Sequence, residues 1–483
     1  MMPLPSGFAE RLKTVLPAGR VILQPEECAP FETDGLTMFR RRPPAVLLPD
    51  SEAEVIAAVN CCREANVPLV TRGAGTGLSG GALPHADGVL LVMTRMNRIL
   101  RIDPAARTAR VQAGARNLAV SEAARPYNLF YAPDPSSQQA CSIGGNVCEN
   151  SGGVRCLKYG LTVHCVSAVR AVTADGEAVE IAADRPGCDI LALLHGSEGL
   201  LAVITEITLK LSPLPETVLA TLAGFSSARA AGDAVAKIIA AGIAPSGLEM
   251  MDRLAARAAE DFAGAGYPTD CAALLIAETD GRREDATREM EKLCGILQQH
   301  GASPIRRAKN DEERALFWKG RKSAFPAVGR IRPDYYCMDG TIPRKHLGRV
   351  LDDIAALSQK YGLPCANVFH AGDGNLHPLI MFDGEAEGET EKARQFGSEI
   401  MRLCLRAGGV ITGEHGVGVE KIDEMCAQFA PGELEIFHGI KRAFDGGGFL
   451  NPGKAVPTLN RCAEFGQMHI TRGAEKFPHL PRF

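Results

Sequence analysis

The sequence predicts an α+β protein built in two parts, and three observations lead there. The chain of 483 residues is longer than one hydrophobic core usually organises. Its texture changes at Leu211-Ser212-Pro213-Leu214-Pro215: short apolar runs joined by turns come before, and strands alternating with longer helical stretches come after. In the first part the glycine-rich stretches follow strand-like runs, which brings bare backbone to a strand end.

Bulk properties narrow the function. Apolar content of 46% and charged content of 23% are those of a globular protein. A net charge of -4 gives no electrostatic case for nucleic acid. Arg11 and Lys13 precede no apolar core of signal-peptide length, and no run approaches the ~18 residues that span a bilayer. The expectation is a cytoplasmic protein, attached to a membrane only through a partner. Fifteen cysteines without a leader suggest reduced thiols. Cys141, Cys148, Cys156 and Cys165 look almost periodic, yet no C-x-x-C occurs, which argues against an iron-sulfur cluster and for small core residues.

In chain order, Phe8, Leu12, Val15 and Leu16 share one face of a short helix. A strand over 45–48 is followed by capping residues at 50–54 and a helix to Ala65. Strands are read at 67–70, 89–93, 99–102 and 109–113, then a helix at 117–124. Residues 132–136 and 142–153 read as irregular backbone whose small residues suit close approach to a flat ligand. Strands at 166–173 and 178–181 flank Asp175-Gly176, a hairpin signal. Gly196-Ser197-Glu198-Gly199 is a glycine turn feeding a further strand. Beyond the linker, apolar runs near Val218, Leu274 and Val368 alternate with helices over 228–241, 284–300 and 311–324, and a last helix covers 434–444.

The stretch Val70-Thr71-Arg72-Gly73-Ala74-Gly75-Thr76-Gly77-Leu78-Ser79-Gly80-Gly81-Ala82 carries the first chemistry. Gly75, Gly77 and Gly80 make a formal G-x-G-x-x-G, but Pro84 and the strand at 89–93 leave no room for the helix that a nicotinamide-type unit requires. A Walker loop fails because Gly81 and Ala82 stand where its Lys and Ser/Thr belong. Two readings remain: a flexible surface loop, or a cradle of backbone amides for a pyrophosphate.

In the second part, Asn367-Val368-Phe369-His370-Ala371-Gly372-Asp373-Gly374-Asn375-Leu376-His377-Pro378 puts one histidine at the end of a strand and another at the start of the next. The Gly-Asp-Gly between them lets the chain reverse, so both imidazoles can converge as a metal pair; two satisfied polar residues beside a turn are the plainer alternative. Glu414, in Gly413-Glu414-His415-Gly416-Val417-Gly418, can complete a two-histidine, one-carboxylate site, leaving His415 as a base. Neighbours in a regular strand face opposite ways, and the flanking glycines permit an irregular backbone that relieves this. Arg321 falls on a helix, where it is either a solvated charge or a bidentate clamp for a substrate carboxylate. Arg330 and Arg332 are weaker candidates of the same kind.

Together the loop 72–82, Pro133-Asp134-Pro135, Gly144-Gly145-Asn146, Gly196-Ser197-Glu198-Gly199, His370-x6-His377 and Glu414-His415-Gly416 resemble the FAD-linked D-2-hydroxy-acid dehydrogenases of the vanillyl-alcohol-oxidase type. The match runs in consistent order from about residue 40 to Lys454. Residues 317–330, 333–343 and the tail Arg461-Cys462-Ala463-Glu464-Phe465-Gly466 are most similar to the flavin subunits of glycolate-oxidising members.

That resemblance implies a two-part FAD-binding domain at 1–215, an α+β substrate (cap) domain with the metal site at 216–430, and a C-terminal segment at 431–483 that returns toward the FAD-binding domain. FAD would be held by Arg72, Gly73, Ala74, Gly75, Thr76, Gly77, Leu78, Ser79, Gly80 and Gly81 on the pyrophosphate. Pro133, Asp134, Ser142, Gly145, Asn146, Gly152, Gly199, Ile204 and Asn451 would surround the rest. Some relatives bind flavin covalently through a histidine of the loop. This loop has none, and His85 lies beyond it, so non-covalent FAD is expected. His370, His377 and Glu414 would hold a divalent zinc, iron or manganese ion, with Arg321 and His415 catalytic. Relatives acting on diacids carry a lysine near the position of Cys337 and an asparagine at that of Leu379, so a small 2-hydroxy acid is expected here. The implied reaction is glycolate to glyoxylate, and D-lactate to pyruvate. Electrons would pass to a second flavin-type subunit and an iron-sulfur subunit at the inner membrane. A free-standing D-lactate or D-2-hydroxyglutarate dehydrogenase and a non-catalytic FAD-binding scaffold are the alternatives.

Overall fold

A computed structural model describes residues 4–457; the tail segment 461–466 and the end of the C-terminal segment lie outside the described residues. The chain forms two compact units. Unit one takes the described part of Met1–Ser151, Leu161–Pro213 and Glu414–Phe483, and unit two takes Gly152–Gly160 and Leu214–Gly413. One boundary between the units, Pro213/Leu214, falls within the linker at 211–215. Two departures from the simple order have physical causes. The short segment Gly152–Gly160 joins unit two, where Lys158 and Tyr159 bind the buried Asp280. The chain returns to unit one at Glu414, because the amides just beyond it are bound there by Glu198.

Unit one contains a four-stranded sheet in the order Val21–Ile22, Ala45–Leu47, Val89–Val92, Leu69–Arg72. The last three are parallel, with Arg72 level with Val92. Their carboxyl ends therefore share one edge, the place where open sheets of this kind bind ligands. The helix Glu52–Ala65 packs its Val55, Ala58, Val59 and Cys62 side against a core with Leu47, Leu69, Leu91 and the Phe8, Leu12 face of the first helix. Fully burying a Leu or Phe of this cluster contributes about 2 kcal/mol. Phe449 and Leu450 enter the same cluster, and Leu69 donates its N–H to the Phe449 carbonyl and accepts the Asn451 N–H, so this segment lines the free edge of the strand Leu69–Arg72. A second, antiparallel sheet has five strands in the order Ile99–Asp103, Thr108–Gln112, Val203–Lys210, Val166–Val172, Ala178–Ala182.

One expectation for unit one changes. Residues 142–153 begin with a short helix, Ile143–Glu149, in place of irregular backbone. Ser142 caps it by accepting the Gly145 N–H. Gly144 is needed there for close packing, since a Cβ would stand 2.7 Å from that of Ala113. Tertiary contact has outweighed the poor helix propensity of a glycine pair.

Unit two is one antiparallel sheet of seven strands, in the order Ile305–Arg307, Thr217–Phe225, Ala273–Gly281, Gly247–Asp252, Cys365–His370, Pro378–Phe382, Asp334–Cys337. One group of helices on it comprises Ala228–Ala240, Arg283–Gln299, Leu347–Tyr361 and Glu389–Arg406; another comprises Arg253–Ala263, Asp311–Lys322 and Ala324–Val328. No helix among the described residues is long and apolar enough to cross a membrane.

Candidate functional site

The glycine loop leaves the edge of the parallel strands and is half-buried from Gly73 to Leu78 and buried at Ser79, Gly80 and Gly81. Among the described residues, none of the backbone N–H groups from Gly73 to Gly81 donates a hydrogen bond. The hydroxyls of Thr71 and Ser79 are buried without a partner as well. Buried polar groups are nearly always paired, so a run of unmatched donors at a strand edge fits an anionic ligand that brings its own acceptors.

Closeness explains two of the glycines. A Cβ on Gly73 would fall 2.1 Å from Ser142 Oγ, and one on Gly75, whose φ is +73°, would fall 2.1 Å from the Arg72 guanidinium. Arg72 is itself tied to the Thr33 carbonyl at 2.6 Å.

The other expected cofactor residues of unit one lie on buried elements. Asn117 donates to the Pro133 carbonyl (3.1 Å) and to Asn146 Oδ1 (3.0 Å), which fixes the Pro133-Asp134 strip against the helix that carries Gly145 and Asn146. Asp134, Ser142, Asn146 and Ile204 are buried, and Gly199 turns with φ +72°. Asn451 donates to the carbonyls of Gly81 (3.0 Å) and Glu198 (2.6 Å). Gly152 falls in the segment that belongs to unit two.

Around the loop sits a set of charged groups the sequence reading did not single out. The half-buried Glu149 stands beside the buried Glu198. Burial and the neighbouring Glu198 push Glu149 well above the usual carboxyl range. Burial raises Glu198 too, but its oxygens accept the N–H groups of Val417 and Gly418 at 2.7 Å each, which makes it the member of the pair that keeps the charge. Lys454 donates to the carbonyls of Gly81 and Leu83, and burial pushes it down to about 7 against the pull of Asp34 and Glu198.

In unit two, His370 ends its strand and His377 immediately precedes the next. Gly374 makes the reversal: its φ is +83°, and a Cβ there would stand 2.3 Å from the Ile342 carbonyl oxygen. The rings meet edge to face at 5.1 Å between centroids. Their ligand nitrogens come within 4.8 Å of one another.

Glu249 lies directly across the sheet from His370. Its Oε1 is 2.7 Å from His370 Nδ1, and its Oε2 accepts from Arg321 Nε at 2.8 Å and forms an ion pair with Nη2 at 2.6 Å. Burial pushes Glu249 up, but the charges of His370 and Arg321 outweigh it and hold the carboxyl below its ordinary value. With Nδ1 engaged, Nε2 is the His370 nitrogen left for a ligand, the arrangement a carboxylate imposes on metal-binding imidazoles. Arg321 is 1% exposed, which removes the solvated-charge reading. Its Nη1 makes no hydrogen bond among the described residues. The same helix carries Trp318, which donates to Glu278 Oε2 at 2.7 Å. Arg332 pairs with Glu389 at 2.9 Å, and Arg330 lies over the Phe262 ring.

Asp339, fully buried, accepts from Asn375 Nδ2 (2.8 Å), Thr412 Oγ1 (2.6 Å) and the Gly413 N–H (3.0 Å), and its Oδ1 is 3.9 Å from His377 Nδ1. Cys337 and Leu379 are direct cross-strand partners, 3% and 0% exposed. Beyond Gly413, the half-buried Glu414 and His415 lie in neither helix nor strand, and Gly416 has φ +82°. Unit two thus gathers His370, His377 and Arg321, while Glu414 and His415 fall to unit one. Glu249 was readable as a lone acid inside an apolar strand; Asp339, before a glycine, gave no comparable signal.

Comparison with known proteins places this geometry. Residues 43–182 match the family model "FAD binding domain", and residues 214–455 match "FAD linked oxidases, C-terminal domain". The chain is 56% identical over 475 residues to glycolate oxidase subunit GlcD of Escherichia coli K12, covering 98% of this chain and 95% of that protein. It is 38% identical to GlcD of Bacillus subtilis, with 88% and 91% covered, and 31% identical to a D-lactate dehydrogenase of Archaeoglobus fulgidus, with 86% and 91% covered. Among solved structures, p-cresol methylhydroxylase superposes with a TM-score of 0.79 at 16% identity, covering 95% of this chain and 98% of that one. The 4-ethylphenol oxidase of Gulosibacter chungangensis gives 0.79 at 17%, covering 94% and 97%. Both share the vanillyl-alcohol-oxidase-type fold.

Proposed function

The chain belongs to the FAD-linked oxidases, and we propose that within this family it oxidises a small 2-hydroxy acid, glycolate to glyoxylate and D-lactate to pyruvate. One observation carries the reading: Glu249 binds Arg321 and His370 at once, so a guanidinium and a metal-ready imidazole are held together as a 2-hydroxy acid's adjacent carboxylate and hydroxyl require. Arg321 Nη1 takes the carboxylate. His370 and His377 would hold a divalent metal, and Glu414, next in sequence to the Gly413 that Asp339 anchors, would be its third protein ligand. The two-histidine pair with Nε2 of His370 directed by Glu249 fits such an ion. His415 takes the hydroxyl proton as C2 releases a hydride and the C–O bond becomes a carbonyl. Bound FAD supplies the two-electron acceptor for that hydride, and the metal supplies Lewis acidity that lowers the hydroxyl's pKa.

Cys337 and Leu379 face one another where a diacid would need polar partners, which supports a small substrate. The loop 72–82 has no histidine, which supports dissociable FAD. The relative named a subunit supports delivery of electrons to partners, a second flavin-type subunit and an iron-sulfur subunit, through which a cytoplasmic chain would reach the inner membrane.

Anaerobic mixing of the flavin-loaded chain with glycolate, D-lactate and D-2-hydroxyglutarate tests the substrate. The visible flavin band should bleach fastest with the first two. A band indifferent to every hydroxy acid would leave a non-catalytic scaffold, and fastest bleaching by the diacid would overturn the small-substrate reading. Native pull-down should bring down an iron-sulfur protein; rapid quinone reduction by the chain alone would mark a free-standing dehydrogenase.

A further inference from the structure

We propose that Glu198 is a positioning residue for His415, a role that rests on the reading of His415 as the base. Glu198 belongs to the turn Gly196-Ser197-Glu198-Gly199, is 5% exposed, and adopts the left-handed region with φ +50° although it is not glycine. That conformation is held in place. Its N–H donates to the Cys148 carbonyl at 2.8 Å, and its own carbonyl accepts from Asn451 Nδ2 at 2.6 Å. The carboxylate so aimed accepts the backbone N–H of Val417 through Oε1 and that of Gly418 through Oε2, two and three residues beyond His415.

The same stretch is sewn to the glycine loop. Val419 and Glu420 both donate their N–H to the Ser79 carbonyl, at 3.0 and 3.1 Å. Gly418, with φ +53°, approaches so closely that a Cβ would stand 2.1 Å from that carbonyl oxygen. Ahead of the segment, Asp339 receives the Thr412 hydroxyl and the Gly413 N–H. Buried carboxylates therefore grip the backbone just before Glu414 and just after Gly416. The three residues between them cannot drift without breaking charge-assisted bonds, which are stronger than neutral ones. Because Ser79 belongs to the expected cofactor cradle, the grip also ties the position of the base to the loop that would hold the flavin's pyrophosphate.

The acceptors matter here more than the shape. Glu198→Gln keeps the volume, but sets an NH2 donor against one of the two N–H donors. In the full-length, FAD-loaded chain, E198Q is expected to retain its flavin while the limiting rate of anaerobic bleaching by glycolate falls about 10- to 100-fold, the scale of a small misplacement at a reacting centre. In a His415→Ala background the same substitution should change the rate less than about twofold, because a residue that acts through another adds nothing once that one is gone. Glu198→Asp keeps the charge but withdraws it by one methylene, and is expected to slow bleaching about tenfold with the flavin retained.

A wild-type rate in E198Q overturns the proposal, as does an undiminished loss in the His415→Ala background. If E198Q loses its flavin, E198D decides: a slowed rate supports positioning, and a wild-type rate shows that the charge serves folding alone. A wild-type flavin left oxidised by glycolate and D-lactate fails the substrate reading itself, a result distinct from a bleached wild type beside an unaffected E198Q.

Discussion

The glycine loop of unit one and the histidine cluster of unit two are polar sites finished to different degrees. From Gly73 to Gly81 the backbone donors have no acceptor among the described residues, whereas Glu249 already holds Arg321 and His370, and Asp339 already holds Asn375, Thr412 and Gly413. The difference follows from what each site would hold. A dinucleotide brings many acceptors of its own, so its site needs exposed donors and room for close approach. A small acid brings one carboxylate and one hydroxyl, so the groups that meet it must be oriented in advance by buried partners. Removing a side chain should therefore be ruinous in unit two, and adding one should be ruinous in the loop.

The largest effect is expected from His377→Ala, which should abolish turnover and metal binding while the flavin content stays that of wild type. Full metal occupancy in that variant would show that the histidine pair is not a ligand set. Arg321→Ala comes next. It removes the proposed partner of the substrate carboxylate and leaves Glu249 buried with one cation fewer, so the loss in kcat/KM should correspond to about 2 to 5 kcal/mol, and Tm should fall as well. Arg321→Lys should recover little, since a lysine cannot give Glu249 two donors and still offer a third in the same plane. An unchanged kcat/KM in Arg321→Ala would reduce the arginine to a structural counter-charge.

Gly73→Ala probes the opposite kind of site. Its Cβ would meet Ser142 Oγ at 2.1 Å, so either the loop or the Ser142 hydroxyl that caps the next helix must shift, and flavin affinity should drop about tenfold or more, equivalent to ~1.4 kcal/mol, with metal content unchanged. Equal flavin affinity by fluorescence titration would place the cofactor elsewhere.

The smallest effect belongs to an ion pair that is in neither set of site residues. Glu52, on the first long helix, takes Arg170 Nε and Nη2 at 2.7 and 2.8 Å and the Thr205 hydroxyl at 2.9 Å. Burial pushes this carboxyl up, but the Arg170 and Thr205 bonds outweigh it and leave it below its ordinary value. The unfolded state then binds the proton more tightly. The stabilisation is complete above the ordinary carboxyl pKa and is lost as pH falls through the lower, folded one. With solvent screening, Glu52→Gln should cost about 1 kcal/mol near neutrality, and the cost should vanish in acid. A pH-independent difference in denaturant midpoints would contradict the assignment.

How far the sequence could be read follows from the range of each interaction. The helix at 117–124 and the hairpin about Asp175-Gly176 are local patterns, and the structure has both. The same holds for the placing of His370 and His377 about a glycine turn, because the turn lies between them. What escaped were the partners: Glu249 is 121 residues from His370 and Glu198 is 219 from Val417. No periodicity marks such pairs. The helix Ile143–Glu149 escaped for a related reason, since its Gly144 is explained by Ala113, a contact visible only once the chain has folded. The glycine loop was legible as unusual, but only its unpaired donors distinguish a cradle from a flexible surface turn.

Trp318 is the chain's single tryptophan. It sits on the helix that also bears Arg321; its indole donates to Glu278 and is packed so near Gly247 that a Cβ there would stand 2.8 Å from the ring. Selective excitation of that indole consequently makes one half of the molecule luminous and leaves the other dark. During denaturation the emission follows unit two alone, while far-ultraviolet dichroism sums both units, so any gap between the two curves measures how independently the halves melt.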